Sequence, residues 1–209
     1  MLNKFQSRTF DSDQNDMKTS AFIIILILFV MSPRARAEFM LDVSGSYISE
    51  NTSSTDVKDD ATKYYYNVTG YLHLSKKWWA GWSYLGISMS GNSNATGSTV
   101  PTSYQTSDTG PAVKFIFGKG DSFSLIANFN VLAKGTYKNV VSNNNEAWQG
   151  TSYMVGFNVM PEIKSGFRMG VGLNYYHAAY SKKTVDGTET SESNTKTWLF
   201  PTLTLSKEW

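Results

Sequence analysis

The run Thr197-Trp198-Leu199-Phe200-Pro201-Thr202-Leu203-Thr204-Leu205-Ser206-Lys207-Glu208-Trp209 repeats with a period of two. Counting back from Trp209, one parity holds Lys207, Leu205, Leu203, Pro201 and Leu199, and the other holds Glu208, Ser206, Thr204, Thr202 and Phe200. One face is mostly apolar and the other mostly small and polar, the pattern of a strand between unlike environments. Two settings supply that contrast: the edge of a soluble sandwich, or the wall of a barrel with lipid on one side.

Seven further segments carry the same period. The first, 38–49, sets Phe39, Leu41, Val43 and Tyr47 against Met40, Asp42, Ser44 and Ser46. The second, 64–76, sets Tyr64, Tyr66, Val68, Leu72 and Leu74 against Tyr65, Asn67, Thr69, Tyr71 and His73. The third, near 79–90, leaves its faces open: Leu85, Ile87 and Met89 read as an outward row, but Trp82 and Tyr84 then fall on the opposite parity. The fourth, 110–118, presents Val113, Phe115 and Phe117 against Ala112, Lys114 and Ile116. The fifth, 122–137, sets Phe123, Leu125, Ala127, Phe129, Val131 and Ala133 against Ser124, Asn128, Asn130 and Lys134. The sixth, 148–161, and the seventh, 166–180, expose Tyr153, Val155, Phe157 and Val159, then Phe167, Met169, Val171, Leu173 and Tyr175. With the terminal segment they make eight, and an even count suits a closed bacterial barrel.

The connections are a second signal. Those after the second, fourth and sixth segments are short, at 75–79, 118–122 and 161–166. Those after the first, third, fifth and seventh are long and polar, at 50–63, 90–109, 138–147 and 181–195. Short turns on one side with longer loops on the other is the pattern of outer-membrane barrels, both termini lying on the short-turn side. A soluble up-and-down barrel gives no reason for such segregation.

At 209 residues without an internal repeat, one domain is expected. Cysteine is absent, which excludes a disulfide framework and a thiolate metal site. The formal charge of +2 belongs to the first 37 residues, which hold five basic and three acidic groups; the rest is neutral, with 14 of each sign. Nothing resembles a nucleic-acid-binding surface. Residues 21–31 form an apolar run of 11 residues, preceded by Lys18 and followed by Ala35-Arg36-Ala37. That run is too short to span a bilayer, which takes roughly 20 residues. The order basic, apolar, small-x-small reads as a secretory signal peptide over 1–37 cleaved after Ala37, with the mature domain at 38–209. Met17 as initiator would give a signal of ordinary length, 21 residues.

Periodicity alone cannot say which face meets lipid. The polar face is rich in Ser, Thr, Asn and Gly, which suits a narrow hydrogen-bonded interior. Aromatics gather in two girdles: Phe39, Trp78, Trp79, Phe123, Phe167 and Trp209 at the turn side, and Tyr47, Tyr64, Tyr66, Trp148, Tyr153, Tyr175 and Trp198 at the loop side. The terminal run, with Leu199, Leu203, Leu205 and the aromatic Trp209, resembles the C-terminal strand of bacterial outer-membrane β-barrel proteins. Lys207 departs from that pattern, and a lysine at the membrane rim can snorkel. By architecture the mature chain resembles the small eight-stranded barrels of the OmpA and OmpX type. The resemblance implies an all-β, antiparallel, up-and-down transmembrane barrel in the bacterial outer membrane, preceded by a cleavable signal peptide. It further implies a monomer in outer-membrane lipid, assembled by the barrel-assembly machinery through that strand.

An eight-stranded barrel is just wide enough for side chains to fill, which excludes a wide pore. The inward parity puts Asp42, Lys114, Arg168 and Glu208 near the turn side. Asp42, Glu208 and Arg168 fall on the first, eighth and seventh strands, neighbours once the barrel closes. A paired ionic plug is expected there, because an uncompensated charge in a dry lumen costs several kcal/mol. Some barrels of this size modify lipids. His73 and Ser75 resemble the His-x-Ser pair of the lipid A deacylase type, but lie at the turn side with no acid on the third strand, and His177 has no hydroxyl two residues on. No catalytic set follows, since a nucleophile needs a base held by a third group. Asp56, Asp59 and Asp60 lack the ligand spacing and turn glycine of a calcium loop. No metal or cofactor is expected. Three roles remain: a structural or surface barrel whose loops meet an extracellular ligand, a narrow channel or transporter for small or hydrophobic solutes, and a lipid-modifying enzyme.

Overall fold

The computed structural model describes residues 39–53, 58–93, 100–139 and 144–209. The leader expected over 1–37, Met17 and Asp56 lie outside the described residues, whereas Asp59 and Asp60, expected in a loop, stand on a strand paired with Thr52 and Asn51. Eight long strands form the wall: β1 (Phe39–Ser53), β2 (Lys58–Ser75), β3 (Trp78–Ser93), β4 (Val100–Phe117), β5 (Phe123–Asn139), β6 (Asn144–Val159), β7 (Phe167–Val185) and β8 (Asn194–Glu208). Each pairs antiparallel with its neighbours in sequence, and β8 also pairs with β1, closing the ring. Two short strands, Glu162–Lys164 and Thr188–Thr190, extend β7 at its two ends.

The closure is staggered. Met40 pairs with Glu208. Stepping round the wall from Met40 through Tyr71, Gly81, Ala112, Asn128, Met154 and Tyr176 arrives instead at Trp198, ten residues along β8 (208 − 198). Such an offset tilts the strands, by about 40° for a barrel of this size. Each residue then adds about 2.5 Å of height. The 17 residues of β5 therefore stand roughly 40 Å tall, against an outward apolar band of about 25 Å in such barrels.

The extra height comes from the segments expected as long loops. β4 starts at Val100 and β7 runs to Val185, so much of 90–109 and 181–195 is strand. The β7 hairpin closes on Asp186-Gly187, both with positive φ (49° and 82°). Asp-Gly is the dipeptide that the tightest hairpin turn demands. At the opposite end Lys76 and Lys77 join β2 to β3, and a single 3-10 turn, Lys119–Asp121, joins β4 to β5. Short connections and long hairpins thus stand at opposite ends.

The apolar parity faces out. Val171 and Leu203 are 62% and 55% exposed, while Asn128 and Asn174 are 2% and 1% exposed. Exposed Leu, Val and Phe on most of the strands, joined on β3 by Trp78, Trp82 and Tyr84, make a surface suited to lipid, since water-soluble monomers rarely display so large an apolar patch. On β3 the outward row expected from Leu85, Ile87 and Met89 is reversed. Leu85 and Ile87 are buried inside, whereas Trp82 (56%) and Tyr84 (45%) face out. Both parities of β3 are apolar because the loop-side half of the lumen is itself packed dry, so alternation carries no sign there.

The girdles are correspondingly sharper. Outside the turn end, Trp78, Phe115, Phe117, Phe123 and Phe157 touch in succession with ring centroids 4.7–6.0 Å apart. The loop-side girdle holds Tyr47–Tyr64, Tyr66–Tyr84 and Tyr153–Tyr175. Trp79 and Trp148, expected in the girdles, point inward and are buried. Trp198 also turns in, stacking on Tyr176. β5 carries a bulge at Val131-Leu132, where both side chains face out. The parity flips there, so Ala133 is buried inside and Lys134 is exposed, the reverse of the sequence expectation. Lys207 bends to the rim, its Nζ donating to the Ser165 carbonyl at 2.7 Å.

Candidate functional site in the barrel lumen

Alternate residues of every strand fill the interior, and they sort into levels. At the turn-side rim, Arg168 on β7 lies 3.6 Å from Glu208 on β8 and 3.6 Å from Glu162. Its Nη1 also donates to the Asp121 carbonyl at 2.6 Å, tying the β4–β5 turn to the wall.

One level deeper, Lys114 on β4 reaches across to Asp42 on β1, donating to Oδ2 at 2.7 Å and Oδ1 at 3.0 Å. Their side chains are 1% and 5% exposed, so the pair is out of water. The ammonium also lies 3.3 Å from the Met40 sulfur and 5.8 Å from the centre of the Tyr71 ring. Met40, Tyr71, Trp79, Ala112 and Ile116 enclose it as one apolar cluster. The four charges named from sequence therefore form two separate groups. Asp42 does not join Arg168 on the adjoining wall; it pairs with Lys114 across the axis. Glu162, which the sequence did not nominate, supplies Arg168 with its second carboxylate.

The middle of the lumen is polar. Ser44 bonds Thr204 at 2.9 Å, Asn67 donates to Thr69 at 3.1 Å, and Asn174 donates to Thr202 at 3.2 Å. Among the described residues the side-chain amide of Asn128 meets no hydrogen-bond partner. Above them, Asp108 is fully buried and accepts at the same oxygen from Ser152 Oγ and Tyr176 Oη, both at 2.5 Å. Ser152 in turn accepts from Asn130 Nδ2 at 2.8 Å, and Ser83 donates to Asn130 Oδ1 at 3.1 Å. Five strands meet in this one network. Sequence reading missed Asp108 because it fell in the expected loop 90–109, although the parity of Lys114 runs back to it unbroken through Ala112 and Gly110.

The loop-side half closes over the polar middle with Tyr65, Leu85, Ile87, Ile126, Met154, Tyr176 and Phe200 in one buried cluster. Tyr104 and Tyr180 cap it with a 2.6 Å hydroxyl contact. Beyond lies a vestibule of about 250 Å³ lined by Tyr137, Glu146, Trp148, Asn194 and Lys196. At its edge Lys183 contacts Glu146 (3.4 Å) and Glu192 (3.3 Å). Desolvation acts to lower this ammonium, but hydrogen bonds to Glu192 and Glu146 outweigh it and hold Lys183 above its ordinary value.

The histidines stand apart from the interior network. His73 is exposed at the turn end with its ring against Trp79, 4.7 Å between centroids. His177 joins the outer girdle, its Nδ1 2.9 Å from Thr197 Oγ1 and its ring 5.2 Å from Tyr153. Among the described residues no three His, Asp or Glu side chains converge as metal ligands would.

No family model matches the chain, and neither does any curated protein. Among solved structures it is similar to Neisserial surface protein A, with a TM-score of 0.48 and 10% identity over 84% of this chain and 100% of that one. It is also similar to the outer membrane protein AlkL, with a TM-score of 0.44 and 7% identity over 100% of this chain and 97% of that one. The translocator domain of the autotransporter NalP from Neisseria meningitidis gives 0.44 and 11% identity over 93% and 76% of the two chains. What this chain does has to come from its own residues.

Proposed function

We propose that this chain is an integral barrel of the bacterial outer membrane with a lumen closed to ions, serving a structural or surface-interaction role. The observation that carries the reading is the pair of stoppers in series. The Asp42–Lys114 pair with Tyr71 and Trp79 blocks the turn side, and the Tyr104–Tyr180 contact over its apolar cluster blocks the loop side. A narrow ion channel would need a continuous wet path, and both ends are filled by side chains. In this reading the leader 1–37 is removed on export, and Leu199, Leu203, Leu205 and Trp209 present the last strand to the barrel-assembly machinery. The barrel stands as a monomer in outer-membrane lipid. Its tall hairpins carry the vestibule of Tyr137, Trp148, Glu146 and Lys196 outward, where an extracellular ligand would meet it. Neither metal nor cofactor enters, and no catalysis is assigned.

Membrane fractionation with protease added to intact cells tests location and orientation together. Cleavage is expected in the outward hairpins, including the one round Asp186-Gly187, while the short connections at the turn side stay protected. Recovery in the soluble fraction, or cleavage at Lys76-Lys77 in intact cells, would overturn the reading. In planar bilayers the purified barrel is expected to show no large stable conductance, and such a state would contradict the stoppers.

A further inference from the structure

The loop-side end of the barrel is a cup with a closed floor. The vestibule of about 250 Å³ draws its lining from five consecutive strands: Tyr104 on β4, Tyr137 on β5, Glu146 and Trp148 on β6, Tyr180 on β7, and Asn194 and Lys196 on β8. Its floor is the 2.6 Å contact between the Tyr104 and Tyr180 hydroxyls. A Cβ on Gly135 would stand 3.2 Å from both of those rings, so the glycine lets the floor close. The volume is below the roughly 300–1,000 Å³ of pockets that hold drug-sized ligands, and suits a single ring.

The chemistry of the lining narrows the occupant. It holds no Leu, Ile, Val or Met among the described residues, so an acyl chain would find no aliphatic partner. Charge gives no sign to prefer either. Lys196 Nζ lies 5.5 Å from the centre of the Tyr104 ring and Lys183 Nζ 5.3 Å from that of Trp148, so the ring faces that would draw an ammonium ligand are taken. Lys183 is shared between Glu146 and Glu192, and these two carboxylates balance the two lysines. What stays open is neutral. Among the described residues the Tyr137 hydroxyl and the Asn194 amide make no hydrogen bond, and the Tyr137 ring packs on no other ring. Glu146 is anchored at both oxygens, Oε1 by Lys183 at 3.4 Å and Oε2 by Trp148 Nε1 at 3.2 Å. A carboxylate oxygen accepts two hydrogen bonds, so each keeps one place for a hydroxyl.

We infer that the vestibule binds one neutral pyranose ring, the terminal sugar of a glycan. Its C–H face lies on the electron-rich face of Tyr137. Two adjacent ring hydroxyls donate to the open sites of Glu146, and a third exchanges hydrogen bonds with the Asn194 amide, which offers donor and acceptor together. The assignment deepens the surface-interaction reading and rests on it, because only an outward vestibule meets glycans. The floor stays shut throughout, so binding needs no passage into the lumen.

The test uses the purified barrel in phosphatidylcholine nanodiscs, which leave both ends open to solvent. It is titrated with the methyl glycosides of glucose, galactose and mannose, and saturation-transfer NMR reads which sugar protons touch the protein. At least one glycoside is expected to saturate with a dissociation constant on the order of 1 mM, its ring C–H protons receiving the transfer. Tyr137→Ala should weaken that binding at least about tenfold, and Asn194→Ala about two- to tenfold. The Asn194 side chain holds nothing else in place, so Asn194→Ala decides the matter if Tyr137→Ala does not insert. Lipopolysaccharide added to the nanodisc competes if the sugar belongs to the cell's own envelope and does not if it comes from outside; the site stands in both cases. Three results overturn the inference: no glycoside saturating by about 50 mM, binding unchanged in either variant, or saturable binding of choline or benzoate with none of the glycosides. An inserted barrel that binds no glycoside sinks this inference alone, whereas recovery of the chain in the soluble fraction of cells strikes the reading of the barrel itself.

Discussion

Replacing Lys114 by methionine strips Asp42 of the ammonium 2.7 Å from its Oδ2. With the two side chains 1% and 5% exposed, water cannot take the place of the lost partner. Breaking a buried pair by removing one member costs about 3–5 kcal/mol, whereas replacing both members by apolar residues of similar volume is often close to neutral. Lys114→Met and Asp42→Leu should therefore each destabilise the barrel by about 3–5 kcal/mol. The double variant, with its apolar side chains among Met40, Tyr71 and Ile116, should lose under about 2 kcal/mol, leaving a coupling of several kcal/mol between the sites. Reversible urea unfolding in lipid vesicles, followed by tryptophan emission, measures all three. At a slope of about 2 kcal/mol per molar urea the single variants shift the midpoint by roughly 1.5 M or more. Two results would refute the reasoning: single variants within about 1 kcal/mol of the natural chain, or a double variant as unstable as the sum of the two. Either would mean that the pair is wet.

Val171 lies midway between the Phe167 and Tyr175 ends of the apolar row on β7, so Val171→Arg should cost about 2–4 kcal/mol in the same unfolding assay; a negligible effect would place that face in water. A methyl group on Gly81 would collide with the Gly70 carbonyl on the neighbouring strand, while one on Gly45 meets nothing nearer than 3.7 Å. Gly81→Ala should then cost about 1–3 kcal/mol and Gly45→Ala far less, and equal costs would contradict the close approach of β2 and β3. Tyr176→Phe removes one of the two side-chain donors to Asp108, with an expected loss of about 1.5–3 kcal/mol as for a hydrogen bond to a charged group. An unchanged urea midpoint would show that the network is not rigid.

The barrel was legible because lipid and lumen impose opposite demands on alternate residues. β6 and the membrane part of β7 show it best: Tyr153, Val155, Phe157, Val171 and Leu173 face out without exception, opposite Ser152, Asn158 and Asn174. Legibility failed where one of those demands lapsed. On β3 the lumen is as apolar as the membrane, so Leu85 and Trp82 exchange the faces expected of them. On β5 the bulge at Val131-Leu132 shifts the count by one and carries Ala133 inward. Asp108 was hidden because polar residues such as Ser103, Gln105 and Ser107 face out above the membrane, and a strand polar on both sides reads as a loop.

The sequence alone determined a closed antiparallel wall of eight strands, its lipid face over most of the circumference, and the inward parity of Asp42, Lys114, Arg168 and Glu208. The parities are local, set by residues two apart on one strand, and the count of segments, the alternation of short and long connections and the aromatic girdles are equally plain along the chain. Only the tertiary structure decided that Lys114 answers Asp42 across the axis, that Arg168 takes Glu162 as well as Glu208, and that β1 and β8 part beyond Gly45. Partners across a lumen meet at the same height, and height depends on the ten-residue stagger accumulated round the whole ring, which no single strand encodes.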